Sequence, residues 1–190
     1  MLALVPAERG FTVDVGCDHG FVARALDAVA SERMPERLPA APRERVVGDG
    51  LAPYRDVDVA IVCGMGPEKV RHVLRSGARP RVAVVHSPQG AADLRRGLKA
   101  DGWRIDAERL APEGRGYAEV MRVVRGHEAA TGLQLAFGPR LLEHGDPHLE
   151  AHARQLLAFW SRLAATVPPH APAAAEAASW RRFLEELVSP

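Results

Sequence analysis

Short apolar runs punctuate the first two thirds of the chain, and helical patterns lie between them. Thr12–Val15, Val29–Ser31, Arg45–Val47, Val57–Val62 and Val82–Val85 are nearly continuous and rich in valine. Runs of that length predict strands buried on both faces. Phe21–Leu26, Pro67–Ser76 and Ala91–Asp101 predict helices. In the last, Leu94, Leu98 and Trp103 fall near helical spacing, with Gly102 as a stop. Such alternation predicts an α/β fold, a Rossmann-like doubly wound parallel sheet. Trp103–Glu108 and Tyr117–Val124 flank a loop holding Gly114 and Gly116, and predict an antiparallel pair that closes the sheet.

The pattern then changes. Gly126–Asp146 reads as loop, with Gly138-Pro139 and Gly145-Asp146-Pro147 as punctuation. Asp146 suits a helix cap and Pro147 a first helical turn. Leu149, Ala153, Leu156, Trp160, Leu163 and Val167 recur at helical spacing, and Pro168-Pro169 ends the run. Trp180, Phe183, Leu184 and Leu187 mark a second helix. The expected organisation is a sheet domain over residues 1–126 and a C-terminal α-helical hairpin over 127–190.

Composition narrows this picture. The 190 residues are 47% hydrophobic, enough for one core with an appendage. No apolar run approaches the ~20 residues of a membrane span. The opening residues lack a basic stretch followed by a long apolar one, so a cytoplasmic protein with no membrane partner is expected. A net charge of +1 neither supports nor excludes a nucleic-acid partner. Lys99 with Arg71, Arg75, Arg79, Arg81, Arg95 and Arg96 is the candidate basic patch. Cys17 and Cys63 each stand beside a glycine, as small packing residues rather than a disulfide or metal pair. The histidines of the C-terminal segment show no strong metal spacing, His148 and His152 being the nearest to one, so no metal is expected.

The candidate chemistry sits at strand ends. Asp14-Val15-Gly16-Cys17-Asp18-His19 carries a strand through a glycine turn into a helix, the place where open α/β sheets bind ligands. A second acid, Asp18, stands where a dinucleotide fingerprint has glycine; it would repel a diphosphate and tolerate a cofactor bearing a sulfonium and an ammonium. Glu32 ends the second strand, a common position for an acid that takes a ribose hydroxyl pair. Asp49 and Gly50 follow the third strand, where a carboxylate can accept from an adenine amine. Gly64, Met65 and Gly66 follow the fourth, giving close backbone access at the switch point.

The order Asp-Val-Gly-Cys-Asp-His, Gly-Asp-Gly-Leu, Gly-Met-Gly and Phe-Gly-Pro-Arg-Leu-Leu resembles the TrmK family from about Leu4 to Trp160. The resemblance implies an S-adenosyl-L-methionine cofactor, methylation of N1 of an adenine in the D-arm region of bacterial tRNA, and a coiled-coil arm that grips the tRNA. It implies that Asp14 and Gly16 line the methionine end of the cofactor, with Cys17 between the motif's acids as a further cofactor-binding residue. Glu32 would hold the ribose, Asp49 and Gly50 would lie near the adenine, and Gly64, Met65 and Gly66 would lie beside the sulfonium. Asp18 would face the methyl-transfer site. Phe21 stands where the family has tyrosine, keeping a ring for stacking without the hydroxyl. Ser87-Pro88-Gln89 stands for the family's Gln-Pro-Asn, so Pro88 and Gln89 would shape the pocket wall. Two other readings stay open: a degenerate homologue that binds RNA or a partner, and a small-molecule methyltransferase, whose pocket would be enclosed rather than open and basic-rimmed.

Overall fold

The valine-rich runs assemble into one seven-stranded sheet. In this computed structural model residues 1–40 and 44–189 are described. The strands are β1 (Thr12–Val15), β2 (Val29–Glu32), β3 (Arg45–Val47), β4 (Val59–Cys63), β5 (Val82–His86), β6 (Trp103–Glu113) and β7 (Gly116–Arg125). Their order is β3-β2-β1-β4-β5-β7-β6. Five strands are parallel, and β7 pairs antiparallel with both β5 and β6.

Alternation along the central strands gives the sheet two apolar faces. Val13, Val15, Val62, Val85 and Met121 pack one face against α2 (Pro67–Arg75) and α3 (Ala91–Ala100). Val59, Ile61, Val84 and Val120 form the other, which is covered thinly. Its cover is the 3₁₀ turn Leu2–Leu4 and the short helix α1 (Phe21–Leu26), which contribute Leu4 and Leu26. The proline-containing stretch Arg33–Arg43 forms only a 3₁₀ turn at Pro35–Arg37, with 41–43 outside the described residues. No helix lies between β3 and β4 among the described residues.

Two expectations fail in the C-terminal third. Gly126–Asp146 is not simply loop, because it contains α4 (Gly132–Phe137) and α5 (Pro139–His144). Their buried residues Leu135, Phe137 and Leu141 stabilise helices too short for periodicity to reveal. Asp146 does not cap the next helix, α6 (Leu149–Thr166), whose cap position is His148. Its carboxylate instead accepts from the backbone N–H groups of His148 (2.9 Å) and Leu110 (3.2 Å), tying the helix entrance to β6. Helix α7 (Pro172–Val188) folds back on α6. Trp160 and Trp180 stack between them, with centroids 5.5 Å apart.

The helical segment is bolted to the sheet by buried charge. Arg95 of α3, expected on a basic surface, is 1% exposed. Its Nε donates to Glu108 Oε1 of β6 (2.7 Å), and its Nη1 to Glu119 Oε2 of β7 (2.7 Å) and the Ala136 carbonyl of α4 (2.9 Å). The other oxygen of Glu108 accepts from the Arg140 backbone (2.8 Å). His152 of α6 lies 3.6 Å from Glu119, and burial holds its imidazole below the ordinary pKa. Breaking a buried ion pair strands its partner's charge. Replacing Arg95 with Ala, which strands both carboxylates, is therefore expected to cost about 3–5 kcal/mol in urea denaturation. A cost near zero would contradict the role given to this cluster.

Candidate active site at the strand edge

Parallel strands share a direction, so the turns after β1, β2, β3, β4 and β5 all leave the sheet at one edge. Neighbouring turns are joined there. The Gly16 N–H donates to the Ser31 carbonyl (2.8 Å), Gly48 to Glu32 (3.0 Å) and Gly64 to His86 (3.2 Å). Strand order reverses between β1 and β4, and their two glycine turns flank that point. Across it, Met65 lays its methyl over Gly16, where a Cβ would collide with it. Gly16 has φ +71°, a backbone that L residues rarely adopt.

The carboxylates differ in their duties. Asp14 is buried on the face covered by α1, and its Oδ2 accepts from the Ala23 N–H at 3.0 Å. Burial outweighs that bond and pushes its pKa from 3.8 to about 6. Asp18 is exposed and lies in the left-handed region at φ 40°. Glu32 Oε1 accepts from the backbone of Arg33 (2.9 Å) and Met34 (3.2 Å). Cys17 reports how closely the acids gather, for burial and then the charges of Asp14, Glu32 and Asp18 push its thiol up to about 11. Asp49 is exposed beyond β3, but Gly50 is buried against Ser76 and Val73 of the α2 end.

The far side of the edge is open. Gly64 and Gly66 face clear space, since a Cβ on either would meet nothing within 4 Å. Pro88 and Gln89 are exposed, while the buried Ser87 hydroxyl donates to the Gln89 carbonyl and fixes their turn. Phe21 is 69% exposed at the start of α1, with the His19 ring 5.7 Å away and the Arg24 guanidinium 5.0 Å from its centroid. Sequence reasoning missed Arg24. Its signal was the i, i+3 spacing from Phe21 on a helix.

The candidate basic patch belongs elsewhere. Helices α2 and α3 run back along the strands, so their last turns reach the opposite edge. Arg75, Lys99 and Arg81 lie there, and Arg75 and Arg81 face Asp101 and Asp58. Arg71 is held by Glu68 and Asp101, Arg96 by Asp93, and Arg95 is internal. The rim at the glycine turns therefore carries none of that patch: Asp18 and Asp49 are exposed there with the partly buried Glu32, and Arg24 and Arg33 are exposed beside them. Two cavities of about 470 and 460 Å³ also lie away from it. The first is lined by Glu128, Arg140 and Glu143, whose charges already pair with one another. Among the described residues no group of three His, Cys, Asp or Glu could hold a metal, and no helix is long and apolar enough to cross a membrane. Both cysteines are free.

The model of the TrmK family, described as tRNA (adenine(22)-N(1))-methyltransferase, matches residues 41–188. The chain belongs to the TrmK family. It is thereby a tRNA adenine-N1 methyltransferase. A Mycoplasma pneumoniae protein named as a candidate tRNA methyltransferase is 29% identical over 160 residues, 72% of this chain and 75% of the relative. The Bacillus subtilis m1A22 tRNA methyltransferase TrmK superposes with a TM-score of 0.76 at 18% identity, covering 97% of this chain and 94% of its own. TrmK of M. capricolum, solved with S-adenosyl-homocysteine, does so with a TM-score of 0.76 at 12% identity, covering 98% and 95%. At those identities the two structures speak for the fold.

The raised Asp14 pKa has a measurable consequence. Between pH 3.8 and about 6 the folded protein keeps a proton that the unfolded chain has released. Stability from this group is complete below pH 3.8 and is lost as pH rises through about 6. The loss is on the order of 3 kcal/mol. Asp14→Asn keeps an acceptor for Ala23 and cannot titrate. Urea denaturation from about pH 4 to about pH 7 should show wild type losing stability relative to this variant; parallel pH profiles would contradict it.

Proposed function

We propose that this chain uses S-adenosylmethionine to methylate N1 of adenine 22 in tRNA at the C-terminal edge of its sheet. Family membership supports the reaction, and the acidic crevice supports the cofactor. A sulfonium and an ammonium suit the carboxylates around Cys17, and the backbone at Gly64 and Gly66 is open to a ligand, with no atom within 4 Å of where a Cβ would stand. When bound, this cofactor supplies a methyl group as an electrophile and departs as a neutral thioether.

The protein's own residues do the rest. The Watson–Crick edge that carries N1 must be unpaired, so the base has to enter the crevice extruded. Phe21 offers an exposed face for stacking, and Pro88 and Gln89 wall the other side. Positioning of this kind supplies much of the rate. Methylation leaves the adenine ring cationic. Asp18 balances that charge or accepts a proton from N6. Asp14 acts from beneath, holding α1 and thereby Phe21 in place through Ala23. Glu32 takes the ribose hydroxyls, and Asp49 the adenine amine of the cofactor. Residues 1–126 make the catalytic unit and 127–190 the arm that holds the tRNA body.

One observation carries the role of Asp18: a carboxylate held at positive φ on an open rim, between the glycine turn and an exposed ring. Strained backbone of that kind gathers at functional sites. Asp18→Ala is expected to reduce methyl transfer to bulk tRNA by at least about a hundredfold. Calorimetry should meanwhile give wild-type affinity for S-adenosylhomocysteine. A variant as fast as wild type would remove Asp18 from the mechanism.

A further inference from the structure

Nucleic acid is a polyanion, and the proposed reacting edge carries carboxylates. Asp14, Asp18 and Glu32 crowd the β1 turn and Asp49 stands beyond β3, while Arg75, Arg81 and Lys99 occupy the opposite edge. Cations beside the place where the base enters would offset these carboxylates, and Arg24 and Arg33 are exposed at this edge.

Arg24 is placed for this. It lies one turn into α1, and helical side chains lean toward the N-terminus, so Arg24 reaches back to the rim. Its guanidinium stands 5.0 Å from the Phe21 centroid, a cation–π distance. The residue is exposed and has no acidic partner within 4.0 Å among the described residues. That separates it from Arg71, Arg81, Arg95, Arg96, Arg122 and Arg140, all held by carboxylates. His19 stands on the same ring at 5.7 Å, with its Nε2 3.4 Å from Asp18. Arg24 thus combines an unneutralised charge, a planar fork of donors and a fixed address on the stacking ring.

We infer that Arg24 is a tRNA-positioning residue, which is anchored over the Phe21 ring and meets a phosphate flanking the target adenine. This rests on the proposal that RNA approaches the glycine-turn edge. The guanidinium fork suits phosphate oxygens, and its planar face suits the ring. A lysine at 24 would keep the charge and lose the stacking fork.

The test compares wild type, Arg24→Gln and Arg24→Lys with a tRNA transcript bearing the target adenine. The KM for tRNA and kcat are read over a series of salt concentrations, and S-adenosylhomocysteine affinity is read by calorimetry. For Arg24→Gln, KM should rise about tenfold while kcat at saturating RNA stays within about twofold. Its salt dependence should weaken by roughly 0.7–0.9 in the slope of log affinity against log salt, the share of one phosphate. Cofactor-product affinity should not move. Arg24→Lys should keep the salt slope and recover only part of the lost affinity. An unchanged KM and slope in Arg24→Gln would overturn the inference. So would a fall in kcat and cofactor-product affinity together, which marks a merely structural role. A wild-type enzyme whose tRNA affinity is untouched by blocking the glycine-turn edge would overturn the reading beneath it, whatever Arg24 does.

Discussion

Five strands that point one way cannot help gathering their trailing turns, and the site proposed for this protein depends on that constraint. The order β3-β2-β1-β4-β5 reverses between β1 and β4, opening a crevice where the Gly16 turn and the Gly64–Gly66 turn meet. Around it the chain has placed carboxylates, glycines and one exposed aromatic ring. No single element builds the site. Each strand contributes a turn, and hydrogen bonds from Gly16 to Ser31, Gly48 to Glu32 and Gly64 to His86 hold the turns in line. The connections between strands are short: α1 has six residues, and no helix joins β3 to β4 among the described residues. Because the edge is defined by strand direction, trimming those connections leaves it intact.

The second requirement is a fixed relation between that edge and the helical arm. It is met by charge rather than by apolar area alone. Arg95 draws α3, β6, β7 and α4 onto one guanidinium, and Glu119 extends the cluster to His152 of α6. Buried ion pairs contribute little net stability, but this guanidinium joins β6, β7 and α4 to α3 at 2.7–2.9 Å. A buried, multiply bonded guanidinium is thus suited to orienting an arm. The β6–β7 hairpin extends the contact, for Gln155 of α6 donates to the Arg115 carbonyl at its tip (3.1 Å).

Much of this was legible in the sequence because buried parallel strands and glycine turns leave local marks. Thr12–Val15, Phe21–Leu26 and Arg45–Val47 match their elements residue for residue. β6 and β7 run longer than expected, to Glu113 and from Gly116, because their outer residues are held by pairing with each other rather than by burial. α4 and α5 owe their existence to a tertiary groove and so left no periodic trace. Arg95 and Arg96 are indistinguishable in a sequence; only Glu108 and Glu119, brought from distant strands, make one a core residue and the other a surface one. The edge-wise sorting of Asp18, Glu32, Asp49 and the Gly64–Gly66 turn follows from strand direction and was readable. The commitment of Asp14 to Ala23 and the burial of Gly50 against Ser76 depend on packing, which a linear pattern does not encode.

Hydrogen–deuterium exchange with and without S-adenosylhomocysteine reads every turn of the edge in one experiment. Protection is expected at the turns after β1, β2 and β4 together, with the last turn of α3 at the opposite edge unchanged. Protection confined to the helical arm or to that opposite edge would contradict it.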